Sequence, residues 1–152
     1  MKEGKVSITI LVADDDADDR AMIEDAMRES RLRNSIQFVA DGEELMDYLL
    51  GRERFADREK FPFPGLLLLD LNMPKKDGRE ALKEIRSDPA LRALPVVVLT
   101  TSKAEEDIYR TYNMGVNSFI TKPVTFDALV GLVRDLGHYW LEIVELPAFK
   151  RE

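Results

Sequence analysis

Three aspartates, a threonine and a lysine stand at the ends of apolar runs in this sequence. Asp14 and Asp15 follow the first run, Asp70 ends the third, Thr100 ends the fourth and Lys122 follows the fifth. Two carboxylates 4 Å apart repel each other by about 1 kcal/mol in water, and by about 4 kcal/mol at an effective dielectric constant of 20. A divalent cation relieves this repulsion, and ligands that are all oxygen favour Mg²⁺, with Mn²⁺ also accepted.

A carboxylate beside such a cation can attack phosphorus and form an aspartyl-phosphate. A nearby lysine and a threonine hydroxyl would bind the phosphoryl oxygens, where negative charge develops. Taken singly, Thr100 could be only a strand-end hydroxyl and Lys122 only a surface lysine. Their joint placement with the acids favours a site for phosphoryl chemistry. The neighbouring acids Asp16, Asp18 and Asp19 are instead expected to cap the following helix and to favour its positive end.

The composition excludes several other classes of protein. The 152 residues include 22 Lys and Arg against 29 Asp and Glu, a net charge of −7, so we expect no nucleic-acid partner. The absence of cysteine removes disulfides, thiol catalysis and thiolate metal sites, and one histidine (His138) cannot build a histidine-rich one. The first residues lack the apolar core of a secretion signal, and no apolar stretch approaches the length of a membrane span. A cytoplasmic protein with no membrane partner is therefore expected.

The elements that must position these side chains alternate along the chain. Apolar, β-branched runs predict five strands, at Ser7–Ala13, Ser35–Val39, Gly65–Asp70, Pro95–Thr100 and Val116–Thr121. Apolar residues at helical spacing predict a helix after each strand, around Met22–Met27, over Gly42–Leu50, around Ala81–Ile85, over Glu105–Met114 and over Phe126–Val144. This alternation predicts an α/β fold, a flavodoxin-like doubly wound parallel sheet of order 2-1-3-4-5 with helices on both faces. Ligands of such sheets bind at the carboxyl ends of the strands.

Two segments contain more than this pattern needs. Gly51–Pro64 is a long connection in which Asp57–Lys60 is expected to be solvated, while Phe61 and Phe63 either pack locally or dock a partner. The terminal helix has apolar residues beyond one buried stripe, so it is either a broad core helix or a contact surface. We expect a two-fold homodimer through this C-terminal helix region, with Leu136 and Trp140 at or near the contact.

Four motifs, in order, resemble the receiver domain of two-component response regulators. The motifs are Ile10–Asp16, Leu69–Pro74 with Asp77 and Gly78, Leu99–Ser102 and Phe119–Pro123. The resemblance covers about residues 7–142, and it implies a single receiver domain over residues 1–152 without an output domain. It also implies that the protein is not an enzyme, apart from its own phosphorylation and slow dephosphorylation.

The resemblance implies a role for each acid of the site. Asp70 would accept a phosphoryl group from a histidine kinase. Asp14, Asp15 and Asp70 would hold Mg²⁺, directly or through water. Asn72 would add its backbone carbonyl to the metal, and its side chain is a possible modulator of phosphoryl transfer.

The remaining roles implied by the resemblance concern the phosphoryl group and the response to it. Thr100 would hydrogen-bond the phosphoryl group, Lys122 would pair with it, and Phe119 would be the switch aromatic. The bond between Lys122 and Pro123 would be cis. Thr101 is larger than the Ala or Gly often found there, so it could narrow access to the acceptor and modulate its reactions.

The expected function is that of a stand-alone response regulator in a phosphorelay, signalling through protein contacts. Three features look like those of the stand-alone regulators that partner phytochrome-type histidine kinases: the Gly51–Pro64 insertion, the Leu99–Ser102 string and the long aromatic last helix. A degenerate receiver that binds partners without phosphorylation is the alternative. A haloacid-dehalogenase phosphatase would want an aspartate where Asn72 stands, and a flavodoxin-like FMN carrier would not place five aspartates beside a phosphate.

Overall fold

The sheet of the protein has five parallel strands in the order predicted from the sequence. The computed structural model describes residues 8–30, 34–101, 108, 110, 112–123 and 125–139. The strands run 2-1-3-4-5 across the sheet and comprise β1 (Ile10–Ala13), β2 (Ile36–Val39), β3 (Leu66–Leu69), β4 (Val96–Thr100) and β5 (Ser118–Thr121). Each strand begins one to three residues later than predicted, because pairing starts inside the apolar run and not at its first residue.

Helices follow β1, β2, β3 and β5 as predicted. In the described part of the chain they are α1 (Ala17–Glu29), α2 (Gly42–Leu50), α3 (Gly78–Ser87) and α4 (Phe126–Gly137), and a 3₁₀ turn lies at Glu53–Phe55. The helix predicted over 105–114 and the end of the helix predicted over 126–144 fall largely outside the described residues. Gly115 ends the helical turn before it, with a φ of +93° that a residue with a side chain rarely adopts.

Side chains alternate between two apolar clusters, one on each face of the sheet. Leu11, Leu67 and Val98 point to the face covered by α2 and α3. Their neighbours Val12, Leu68 and Val97 join α1 and α4 on the other face. Strands buried on both faces explain the continuous aliphatic runs in the sequence. Among the described residues, no helix is long and apolar enough to cross a lipid bilayer.

The Gly51–Pro64 connection folds onto the end of α2 through aromatic contacts. The ring of Phe55 lies 5.0 Å from that of Tyr48 and 5.1 Å from that of Phe61, measured between centroids. Phe61 and Phe63 both pack against the core, which confirms the local alternative for these two residues. The prediction of a solvated Asp57–Lys60 is wrong for Arg58. Its guanidinium donates to the carbonyls of Leu49 and Phe61, at 2.9 and 3.1 Å, and these bonds draw it inward.

Candidate functional site

The acids, the hydroxyl and the ammonium meet because the strands that carry them are neighbours in register. Ala13 of β1 lies opposite Leu69 of β3, so the next residues, Asp14 and Asp70, leave the sheet side by side. The Asp70 N–H donates to the Ala13 carbonyl at 2.9 Å. The Lys122 N–H continues the β4–β5 ladder by donating to the Thr100 carbonyl at 2.8 Å. The predicted carboxyl edge is therefore formed.

Gly78 allows α3 to begin directly against the backbone of Asp70. A Cβ atom at this position would lie 2.4 Å from the Asp70 carbonyl oxygen, which is closer than any real contact. The Gly78 N–H donates to the carbonyl of Leu71 at 2.9 Å. Asp77 caps the helix by accepting the N–H of Glu80 at 3.0 Å. The Asp77–Gly78 pair thus fixes the backbone that follows the β3 carboxylate.

Asp14, Asp15 and Asp70 form one group of oxygen ligands. One carboxylate oxygen from each lies within 4.8 Å of the others, with Asp14 and Asp70 buried and Asp15 exposed. Burial raises the pKa of Asp14, against the opposing effects of hydrogen bonds from Lys122 and from the Asp16 N–H. Two buried acids and one accessible acid, all oxygen donors, fit a hard divalent cation that enters from solvent.

The ammonium of Lys122 is shared among three carboxylates. Its Nζ atom lies 2.5 Å from Asp14 Oδ2, 2.8 Å from Asp19 Oδ2 and 3.0 Å from Asp70 Oδ2. Burial lowers the pKa of Lys122, but the hydrogen bonds to these acids outweigh burial and hold the pKa above its ordinary value. Lys122 is therefore a charged, largely buried group and not the surface lysine that it could have been.

Asp70 has hydrogen-bond donors on both carboxylate oxygens. Its Oδ1 accepts the hydroxyl of Thr100 at 2.8 Å and the backbone N–H of Asn72 at 3.0 Å. Its Oδ2 faces Lys122. The Asn72 side-chain amide lies 3.4 Å from Thr100 Oγ1, which links the possible modulator to the hydroxyl. A group transferred to Asp70 would thus meet a hydroxyl and an ammonium already in place.

The acids after Asp15 divide between two roles. Asp16 caps α1 as predicted, since its carboxylate accepts the N–H groups of Asp18 and Asp19 at 2.8 and 3.2 Å. Asp18 is exposed. Asp19 has a second role besides favouring the positive end of the helix, because its carboxylate also pairs with Lys122. This pairing was not predicted from the sequence. Asp18 and Asp19 both lie in the first turn of α1, and no local pattern in the sequence distinguishes them.

Phe119 lies in β5, and Thr101 directly follows the neighbouring strand β4. Phe119 is half-buried and packs against the cluster under α2 and α3. Its backbone N–H donates to the Tyr112 hydroxyl at 3.1 Å. Thr101 is exposed immediately after the buried Thr100. A modulating effect of Thr101 therefore stays a prediction about access from solvent.

Leu136 and Trp140 are the two residues expected at or near a dimer contact. Leu136 is half-buried and packs against the cluster under α1 and α4, so only part of it could face a second chain. Trp140 lies outside the described residues.

The expected cis bond between Lys122 and Pro123 is wrong, since no peptide bond in the described part of the chain is cis. A trans bond is the form that X–Pro peptides prefer, by about 0.5–1 kcal/mol, and with it the Lys122 ammonium still reaches Asp70.

Comparison with known proteins agrees with this geometry. Residues 10–134 match the model of the response regulator receiver domain. The chain belongs to this family. The receiver is similar to the response regulator Rcp1 of Synechocystis sp., with 40% identity over 141 residues that cover 93% of each chain.

Solved receiver structures resemble it over most of its length. The phosphorylated cyanobacterial phytochrome response regulator RcpA superposes with a TM-score of 0.87 at 40% identity, covering 94% of this chain and 100% of that one. The Mn²⁺-bound form of Rcp1 gives a TM-score of 0.83 at 38% identity, covering 93% of this chain and 99% of that one. This receiver is thus similar to a phytochrome response regulator, and also to a response regulator that has been seen with bound Mn²⁺.

Proposed function

We propose that this receiver accepts a phosphoryl group on Asp70 from a histidine kinase and passes the signal on through protein contacts. The observation that carries the proposal is the environment of Asp70. The Thr100 hydroxyl and the Lys122 ammonium contact opposite oxygens of its carboxylate. A structural aspartate at a strand end would not need both a hydroxyl and a charged partner that is itself buried.

The chain's own residues account for the chemistry of transfer. An oxygen of Asp70 attacks the phosphorus of a phosphohistidine, forming a P–O bond while the P–N bond breaks and the freed imidazole takes up a proton. Thr100 donates a hydrogen bond to a phosphoryl oxygen, and Lys122 pairs with the charge that remains. A divalent cation at Asp14, Asp15, Asp70 and the Asn72 carbonyl, Mg²⁺ or Mn²⁺, would neutralise part of that charge. The same groups support slow hydrolysis of the phosphorylated Asp70, and Asn72 and Thr101 modulate the rates of transfer and hydrolysis.

The proposed output passes from Thr100 to Phe119. Phosphorylation adds up to about two negative charges and three strong acceptors at the strand ends. Thr100 moves towards them, and Phe119 turns inward to fill the space that is left. The hydrogen bond between the Phe119 N–H and the Tyr112 hydroxyl supports this route, because it ties the moving residue to the segment before β5.

Two partners complete the proposal. A phytochrome-type histidine kinase is supported by the similarity to RcpA. A second copy of the chain is proposed to bind through the C-terminal helix region, with Trp140 at or near the contact. Trp140→Ala should weaken self-association in sedimentation experiments. A monomer at hundreds of micromolar, with and without beryllofluoride as a phosphoryl mimic, would remove the dimer from the proposal.

Labelling with a small phosphodonor such as acetyl phosphate tests the acceptor. The wild type should take up acid-labile, hydroxylamine-sensitive label, and Asp70→Asn should take up none. Asp16→Asn is the matched control, since it removes one charge from the same edge and leaves the acceptor intact. Label that persists in Asp70→Asn would refute the assigned nucleophile. A wild type that takes no label would favour the degenerate receiver.

A further inference from the structure

The Lys122 ammonium has three N–H donors and three carboxylate acceptors, and these acceptors are not equivalent. Asp14 and Asp70 belong to the group of acids that could hold a divalent cation. Asp19 is outside that group, yet its Oδ2 lies 2.8 Å from Lys122 Nζ. Asp19 is therefore the one of the three acceptors that does not have to be shared between the lysine and the cation.

The position of Asp19 is fixed by the start of α1. The Asp16 carboxylate accepts the Asp19 N–H at 3.2 Å and holds the first turn of the helix in place. The side chain of Asp19 is 32% exposed, against 10% for Lys122. A pair in this half-buried setting is less screened than one between two freely exposed side chains, so it can hold an orientation.

We infer that Asp19 is a positioning residue, which keeps the Lys122 ammonium at the carboxyl edge while Asp14 and Asp70 are engaged elsewhere. This inference rests on the proposed function. When Asp70 becomes an acyl phosphate, Lys122 must turn from its carboxylate to the phosphoryl oxygens, and a bound cation would take up the charge of Asp14. Asp19 is neither the phosphoryl acceptor nor one of the acids that could hold a cation, so its bond to Lys122 can persist before and after the transfer and keep the ammonium beside the acceptor.

A purely helical role for Asp19 makes a different prediction. An acid in the first turn stabilises a helix through its charge near the positive end, and Asp18 supplies the same charge one residue earlier. Asp18 is exposed, and its N–H is bound by the same Asp16 carboxylate. Asp18→Asn is therefore the matched control for Asp19→Asn, because both remove one charge from one turn and only one removes a partner of Lys122.

The first arm of the test needs neither metal nor phosphodonor. The ammonium protons of Lys122 are followed in ¹H–¹⁵N spectra of the metal-free protein, with Lys122→Arg used to assign the signal. Their exchange with water should be about threefold to tenfold faster in Asp19→Asn than in Asp18→Asn, since one hydrogen bond to a charged group is lost. Asp19→Glu should restore part of the protection.

The second arm measures the rate of labelling by acetyl phosphate at saturating Mn²⁺. Asp19→Asn should be slower than Asp18→Asn by about threefold to tenfold, and Asp19→Glu should recover part of the rate. Equal values for Asp19→Asn and Asp18→Asn in either arm would overturn the inference. A wild type without label would defeat the proposed function instead, and the exchange arm would still decide whether Asp19 holds Lys122.

Discussion

The hydroxyl of Thr100 donates a hydrogen bond of 2.8 Å to Oδ1 of Asp70, across the carboxyl ends of two neighbouring strands. Both side chains are buried. The hydroxyl proton is thus directed at the carboxylate on which we propose that the phosphoryl group forms. A donor that is oriented before the reaction needs little reorganisation when charge develops beside it.

Replacing Thr100 with Val should slow labelling while preserving the fold. Val has nearly the same shape as Thr, so the buried site stays filled, but the donor to the phosphoryl oxygen is gone. We expect the labelling rate with acetyl phosphate to fall on the order of tenfold or more. Thr100→Ser is the control, because it retains the hydroxyl and should keep most of the rate. A rate in Thr100→Val equal to that of the wild type would show that the hydroxyl takes no part in transfer.

Binding of a divalent cation should stabilise the fold through Asp15. A ligand selective for the native state adds about 2.7 kcal/mol at 100 times its dissociation constant. The melting temperature of the wild type should therefore rise with Mg²⁺, and that of Asp15→Ala much less. Asp15 is exposed, so its removal leaves the core intact. Asp18→Ala should respond like the wild type, whereas a wild type indifferent to tens of millimolar Mg²⁺ would remove the metal site.

The cap of α1 should be separable from the chemistry beside it. Asp16→Ala removes the acceptor of the Asp18 and Asp19 N–H groups, and loss of such a cap typically costs about 1 kcal/mol. Chemical denaturation should show this loss, and Asp16→Asn should avoid it because an amide oxygen also caps. Labelling at Asp70 should be largely retained in Asp16→Asn, in which the cap of the first turn remains. A stability loss in Asp16→Asn as large as in Asp16→Ala would argue against capping.

The strands could be predicted because the residue types within each run are enough to indicate a buried strand. A run such as Leu66–Leu69 is aliphatic at every position, and only a strand covered on both faces buries all of it. The polar residue that ends each run then marks the carboxyl edge, so Asp14, Asp70, Thr100 and Lys122 could be grouped before any coordinates were known.

What could not be predicted depends on contacts between distant parts of the chain. Asp19 and Lys122 are 103 residues apart, and no local pattern says that one carboxylate of α1 turns to the strand ends while its neighbour Asp18 turns to solvent. Arg58 is a charged residue in a charged segment, and its inward position follows from the carbonyls that the folded connection offers it. Such placements are set by tertiary packing and not by residue type.

Ionisation of Tyr48 should lower the free energy of unfolding at high pH. Its hydroxyl donates to the Pro62 carbonyl at 2.8 Å, and burial raises its pKa from 10.0 to about 12, against the opposing charge of Arg58. The folded state therefore keeps a proton that the unfolded state loses above pH 10. Its contribution to stability is complete below pH 10 and is lost as the pH rises towards 12, by an amount of order 2 kcal/mol.

Urea unfolding at pH 9 and pH 11 measures the first part of this loss. Wild type should lose more stability between these pH values than Tyr48→Phe, in which the phenol is missing and no proton is at stake. The difference between the losses of stability in the two proteins is the contribution of Tyr48, because the lysines and the other tyrosines are the same in both. An equal loss of stability in wild type and Tyr48→Phe would mean that Tyr48 ionises as easily in the folded protein as in the unfolded chain.

Two glycine-to-alanine changes should have opposite effects on stability. In Gly78→Ala the new Cβ would meet the Asp70 carbonyl oxygen at 2.4 Å, so α3 or the backbone after β3 must shift. In Gly131→Ala the new Cβ meets nothing within 4 Å, and alanine favours a helix over glycine by about 1 kcal/mol. Gly78→Ala should thus unfold at lower urea concentration than the wild type and label more slowly on Asp70, whereas Gly131→Ala should be more stable and label normally. If Gly78→Ala labels at the wild-type rate, the close approach of α3 does not position the acceptor.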